Sequence, residues 1–174
     1  MIRLVILDID GVMTDGRKYY GLAGMPFAKT YCDKDFTAIK RMRAAGINVC
    51  FLSGDDCVNK AMAKNRNIDF YSARGRDKAE FIPQLIQHYS VPASEMLYVG
   101  DDLFDHSIME LVGHPFCPQD ACLEIKNICG EQNILPAEAG HNVIMLLVET
   151  LIERSLISDA EMEDIAALDK KEKF

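Results

Sequence analysis

The chain has 174 residues, 49% of them apolar, and a formal net charge of −8. That size and composition suffice for one hydrophobic core without disulfide or zinc staples, and the negative charge argues against nucleic acid as a partner. No apolar run approaches the roughly 20 residues that cross a bilayer, and the first strand begins so close to Met1 that a cleavable leader has no room, so a cytoplasmic protein with no membrane partner is expected.

Apolar Ile2, Leu4, Val5, Ile6 and Leu7 predict a buried first strand that runs into Asp8-Ile9-Asp10-Gly11. Residues two apart on a strand share a face, so Asp8 and Asp10 are expected to point together while Ile9 anchors the opposite side. Turn residues Gly21, Gly24 and Pro26 break residues 16–31 into a β-hairpin. A helix is expected from about Asp35 to Ala45, stopped by Gly46, then a strand from Ile47 to Leu52 that ends at Ser53-Gly54. Asp55 or Asp56 caps the next helix, which runs to about Asn65. A short strand, Ile68 to Tyr71, precedes a helix from Lys78 to Tyr89. Met96 to Val99 is the fourth strand and leads into Gly100-Asp101-Asp102-Leu103-Phe104-Asp105. A helix, a short strand (His114 to Cys117), a helix (Asp120 to Ile125) and a final helix (about His141 to Ser155) follow. The charged stretch from Asp159 to Phe174 is expected to fray. Alternating strands and helices predict an α/β fold, a Rossmann-like three-layer αβα arrangement with a central parallel sheet, spanning residues 1–174 as one domain.

Four polar clusters fall at the carboxyl ends of these strands or just beyond them: Asp8/Asp10, Ser53, Lys78 and Asp101/Asp105. In an open parallel sheet that edge binds ligands. Each cluster alone has an ordinary explanation: an acidic turn, a Ser-Gly turn, a solvated lysine, a helix cap. Their order and shared edge make the combination specific. A buried carboxylate pair is costly without a cation or a shared proton, and a hard metal ion, Mg2+ first, is the simplest partner. The six cysteines, Cys32, Cys50, Cys57, Cys117, Cys122 and Cys129, show no CxxC spacing and read as thiols. None of the four histidines has a metal-ligand spacing.

From Asp8 onward the chain resembles the haloacid dehalogenase superfamily of aspartate-nucleophile phosphatases. The opening Asp-x-Asp-Gly-Val-x-Thr-Asp-Gly, the small hairpin in place of a large cap, and Tyr-Val-Gly-Asp-Asp-Leu-x-Asp are similar to one branch. That branch holds the 3-deoxy-octulosonate 8-phosphate phosphatases and the nine-carbon acid 9-phosphate phosphatases. The resemblance implies that Asp8 attacks phosphorus and that Asp10 donates and later accepts a proton, with a neighbouring carboxylate and partial burial favouring its protonated form. It implies Mg2+ held by Asp8, the backbone carbonyl of Asp10, and Asp101. Ser53, the Gly54 amide and Lys78 would bind phosphate oxygens, while Asp102 and Asp105 support the site, Asp105 by orienting Lys78 or a metal-bound water. A homotetramer is implied by analogy, since so small a hairpin leaves the site to be closed by neighbouring subunits.

Substrate recognition is less legible. Asp35-Phe36 stands where the branch has Asp-Gly, and Asp35 is read as a partner for a sugar hydroxyl or as its own helix cap. The branch's Gly-Gly-x-Gly-x-x-Arg-Glu segment is altered here, with Met145 and Leu146 at the last two places. Asp55 replaces the arginine usual in the eight-carbon phosphatases and resembles the nine-carbon relatives, with Arg66 as a possible partner. Arg17, Lys18, Lys29 and Arg74 are candidates for a sugar carboxylate. The leading expectation is a phosphatase for the eight-carbon 8-phosphate, in lipopolysaccharide biosynthesis, with the nine-carbon 9-phosphate second. Two other classes compete: a phospho-accepting receiver domain, whose acceptor aspartate follows a middle strand instead, and a noncatalytic assembly domain.

Overall fold

Leu4, Val5, Ile6 and Leu7 are all fully buried, which is possible only for a strand covered on both faces, as in a parallel sheet between helical layers. A computed structural model describes residues 1–171 and places this strand, β1 (Leu4–Leu7), near the middle of a six-stranded sheet. The other strands are β2 (Tyr19–Tyr20), β3 (Pro26–Ala28), β4 (Asn48–Ser53), β5 (Asp69–Ser72), β6 (Met96–Val99), β7 (His114–Pro118) and β8 (Ile134–Leu135). The sheet order is β5-β4-β1-β6-β7-β8, with every pairing parallel. β2 and β3 form the separate antiparallel hairpin.

The helices are α1 (Asp33–Ala44), α2 (Val58–Asn65), α3 (Ile82–Tyr89), α4 (His106–Met109), α5 (Leu123–Cys129), α6 (Val143–Glu153) and α7 (Met162–Asp169). Val5 and Leu7 pack with Phe36, Ile39 and Met42 of α1 and with Ile144, Leu147 and Leu151 of α6. Leu4 and Ile6 point the other way, toward Leu85 of α3, Ile108 of α4 and Ile125 of α5. This alternation, at the strand period of two, creates the two core layers and establishes the expected Rossmann-like α/β architecture. Among the described residues no helix is long and apolar enough to cross a membrane.

Several expected boundaries move. The helix expected over 78–89 begins as a 3-10 turn, Lys78–Phe81, before α3. The helix expected over 120–125 runs instead from Leu123 to Cys129. α2 is preceded by Cys57, not capped by Asp55 or Asp56. Asp55 does accept from the Cys57 amide, but its other oxygen faces lysines, while Asp56 accepts from the Ser72 hydroxyl. α7 replaces part of the stretch expected to fray, because its buried Ile165 packs inward and the helix rests on α1. The end of that stretch, residues 172–174, lies outside the described residues.

Topology positions the site. The chain fills the sheet from β1 to β4 and β5, then crosses back to β6 on the other side of β1. Such a reversal opens a crevice at the carboxyl edge. Leu7 is in register with both Phe51 and Val99, so Asp8, Ser53 and Asp101 leave three adjacent strands at one edge.

Candidate active site

The carboxyl edge opens into a cleft of about 1110 Å³, lined by Asp8, Asp10, Ser53, Gly54, Lys78, Asp101, Asp102 and Asp105 among others. Its floor is a charge cluster. One Asp8 oxygen accepts from the Ile9 amide (2.8 Å) and the other lies 3.1 Å from Lys78 Nζ. Lys78 in turn donates to Asp105 Oδ1 (2.5 Å) and to the Tyr98 hydroxyl (3.0 Å), and that hydroxyl donates to Asp105 Oδ1. Asp105 Oδ2 accepts the backbone N–H groups of Asp101 and Asp102. Both oxygens of Asp105 are thus occupied by protein donors, as suits a residue that orients Lys78 and the Asp101 loop. Asp102 caps the following turn through the Leu103 amide.

Asp8, Asp101 and Asp105 each bring a carboxylate oxygen within 4.8 Å of the other two. Lys78 supplies one positive charge against these three carboxylates. Burial raises the Asp8 carboxyl to about 7 against the pull of Lys78, with Asp105 adding to the rise. Burial, with Asp8 and Asp105 beside it, raises Asp101 to about 8. The Asp101 Oδ1 is buried and has no hydrogen-bond partner. Burial also opposes the charge on Lys78, but Asp8 and Asp105 outweigh it and push its ammonium upward. An unpartnered buried carboxylate oxygen beside a surplus of negative charge is the donor set of a hard divalent cation.

Two glycines make this crowding possible. Gly11 has φ +87°, and a Cβ there would stand 2.0 Å from Asp101 Oδ2. At Gly100 a Cβ would collide with the Asp105 carboxylate at 2.6 Å.

Asp10 departs from the expected arrangement. Its carboxylate does not join Asp8 and Asp101, because β1 ends at Leu7 and the chain turns tightly onto the Ile9 carbonyl. It faces Lys29 Nζ instead, at 2.7 and 3.0 Å, with Lys18 Nζ at 3.5 Å and Asn59 Nδ2 at 3.2 Å. The carboxylate that shares these lysines with it is Asp55, 2.7 Å from Lys29 and 3.0 Å from Lys18. Burial works against the Asp55 charge, but bonds from Lys29, the Cys57 amide and Lys18 hold its carboxyl well below the usual carboxylate range.

The four candidate cations separate. Lys29, whose side chain is fully enclosed, and Lys18 are engaged with Asp10 and Asp55. Arg17 pairs with Asp15 and does not line the cleft. Arg74 lines the cleft with no carboxylate partner among the described residues. Arg66 stacks on Phe36 and lies near Asp33 instead of Asp55. Asp35 lies outside the cleft: it is fully buried, and one oxygen accepts the backbone N–H groups of Ile144 and Met145 at the start of α6. It neither caps its own helix nor lines the cleft. Asn59 and Tyr98, not singled out in the sequence, are both fully buried against the site residues. A polar Asn59 sharing a buried helix face with Ala63 is the available signal for the first.

Comparison with known proteins agrees with this geometry. A family model of haloacid dehalogenase-like hydrolases matches residues 55–140. The 3-deoxy-D-manno-octulosonate 8-phosphate phosphatase KdsC of Haemophilus influenzae is 31% identical over 127 residues, 72% of this chain and 70% of that protein. The Escherichia coli K12 KdsC is 31% identical over 122 residues, 69% of this chain, so the chain spans 64% of that relative, just under two thirds. Among solved structures, the cobalt-bound Haemophilus influenzae deoxy-D-mannose-octulosonate 8-phosphate phosphatase superposes with a TM-score of 0.81 at 27% identity, covering 87% of this chain and 88% of that one. The Yersinia pestis 3-deoxy-D-manno-octulosonate 8-phosphate phosphatase gives 0.80 at 25% identity, covering 87% and 81%. In sheet order, motif order and relatives, this chain belongs to the haloacid dehalogenase superfamily, as a phosphatase of the branch similar to the 3-deoxy-D-manno-octulosonate 8-phosphate phosphatases.

Proposed function

We propose that the chain is a Mg2+-dependent phosphomonoesterase that uses Asp8 as nucleophile, with 3-deoxy-D-manno-octulosonate 8-phosphate as its substrate. The observation that carries this reading is the convergence of Asp8, Lys78, Asp101 and Asp105 at one sheet edge, with Asp101 Oδ1 left without a partner. Asp8 and Asp101 would hold the ion, together with the backbone carbonyl of Asp10, and the cobalt in the Haemophilus relative supports a divalent metal. When bound, Mg2+ supplies positive charge to offset the negative charge gathering on the phosphoryl oxygens.

An Asp8 oxygen attacks phosphorus in line, the P–O ester bond breaks, and an aspartyl-phosphate forms. The resemblance assigns Asp10 as the proton donor to the departing sugar oxygen, a role in which its protonated form competes with the ion pair to Lys29. In the second half Asp10 takes a proton from water, which attacks the phosphoryl group and releases inorganic phosphate and free Asp8. Lys78, fixed by Asp105 and Tyr98, and the Ser53 hydroxyl with the Gly54 amide bind the phosphoryl oxygens. Arg74 is the cation best placed for the sugar carboxylate. The same reading has the enzyme cytoplasmic and homotetrameric; the exposed apolar hairpin residues Tyr19, Tyr20, Leu22, Met25 and Phe27 support the assembly. Such an apolar patch favours burial against another subunit.

A nine-carbon sugar acid 9-phosphate is the second reading, favoured by the acidic Asp55 in the cleft wall. A phosphate-release screen over sugar phosphates, with and without Mg2+, tests both. Preferred release from the eight-carbon ester is expected. Equal rates on all esters, or full rates after chelation, would overturn the reading.

A further inference from the structure

Asn59 is fully buried on α2, and all four of its hydrogen-bonding positions are used. Its carbonyl oxygen accepts from Lys29 Nζ (2.8 Å) and from the Tyr31 hydroxyl (3.1 Å). Lysine can only donate, so this contact fixes which end of the amide is oxygen. The two N–H groups of Nδ2 must then point the other way, one to Asp10 Oδ2 (3.2 Å) and one to Ser53 Oγ (3.0 Å). The Asp55 backbone N–H also approaches Ser53 Oγ, at 3.4 Å. With donors already directed at that oxygen, the Ser53 hydroxyl hydrogen finds no acceptor among the described residues, and Ser53 lines the cleft.

We infer that Asn59 is a positioning residue: it orients the Ser53 hydroxyl as a donor into the cleft and at the same time fixes the Asp10 carboxylate. This inference rests on the phosphatase reading for the roles of Ser53 and Asp10, and among the described residues the amide is the one group hydrogen-bonded to both side chains. Lys29 and Tyr31 serve as its backing, holding the oxygen end so that the nitrogen end cannot flip. An amide satisfied only for packing would need no such division between two hydrogen-bonding residues of the cleft.

The test compares the parent with Asn59→Leu and Asn59→Asp, each similar in size to asparagine, and with Ser53→Ala and the double variant Ser53→Ala/Asn59→Leu. Asn59→Asp keeps an acceptor for Lys29 and Tyr31 but loses both donors. Three quantities are read: melting temperature, kcat and KM on the best substrate of the screen, and the affinity for inorganic phosphate in Mg2+ by calorimetry. Both Asn59 variants are expected to lower kcat on the order of tenfold to 100-fold, below the roughly 100- to 1000-fold of losing a donor to the reacting groups outright, with a smaller change in KM. Phosphate affinity should weaken about tenfold, and the losses from Asn59→Leu and Ser53→Ala should combine to less than their product. A purely structural amide predicts the opposite: Asn59→Leu lowers the melting temperature but, in the folded protein, retains kcat and phosphate affinity. That result, or fully multiplicative losses in the double variant, would overturn the inference. A parent that binds phosphate yet hydrolyses no ester would overturn the phosphatase reading alone, because the phosphate titration still reports on Asn59.

Discussion

Asp35→Asn isolates the cost of one buried charge. Burial drives the Asp35 carboxyl up to about 6, although the backbone N–H groups of Met145 and Ile144 favour its ionised form. Its second oxygen is buried with no hydrogen-bond partner. Since the folded-state value lies above the ordinary aspartate value of 3.8, the protonated form is the one the fold prefers. The associated stability is present below the unfolded value and lost as pH rises through about 6. A difference of one in pKa between the folded and unfolded states corresponds to about 1.4 kcal/mol, so the ionised carboxylate costs about 3 kcal/mol at neutral pH. Asparagine keeps the oxygen that caps α6 and removes the ionisation. Its unpaired Nδ2 carries a cost of its own, about 1–3 kcal/mol, but that cost does not vary with pH. The stability of the Asp35→Asn variant relative to the parent should therefore rise by about 2–3 kcal/mol between pH 4 and pH 7. Urea unfolding of both proteins across that range measures it. Parallel stability curves would refute the reasoning, because they would mean that Asp35 ionises in the folded chain as freely as in the unfolded one.

The cleft residues have equally definite expectations. Asp8→Asn should abolish phosphate release while leaving the melting curve cooperative; turnover near the parent rate would remove Asp8 as nucleophile. Arg74→Ala should raise KM for sugar-acid phosphates by about tenfold, one lost charged contact, and leave KM for an aryl phosphate that has no carboxylate unchanged; an equal change on both would detach Arg74 from the carboxylate. Because burial raises Asp8 to about 7 and Asp101 to about 8, a divalent ion must displace protons from them. Mg2+ affinity should thus climb from pH 6 to pH 8, about tenfold per pH unit for each proton released, and a flat calorimetric profile would contradict the cluster. Gly11→Ala should cost about 1–3 kcal/mol for the left-handed backbone and weaken Mg2+ binding by displacing Asp101; unchanged metal affinity would sink the close approach.

The sheet edge was legible in the sequence because each strand is a short apolar run that stops at a polar turn. Asp8, Ser53 and Asp101 mark those stops, and register then aligns them. What the sequence hid was mostly a matter of distance and burial. Lys29 looks like any solvated lysine, yet its side chain is enclosed between Asp10 and Asp55. Asp35 reads as a cap for its own helix, but the amides it satisfies lie 109 and 110 residues away. The two residues of β8 are too few to show a period. The strand period puts Asp8 and Asp10 on a shared face, whereas the tight turn after Ile9 sends their carboxylates to different lysines.

Lys29 also fastens the base of the hairpin to Asp10 and Asp55 in the cleft, while the tip around Leu22 and Met25 is exposed. The enclosed anchor and the exposed tip are thereby mechanically separable along a single loop. On the proposed reading, changes at the exposed tip would leave the pairing of the enclosed Lys29 ammonium with Asp10 and Asp55 intact.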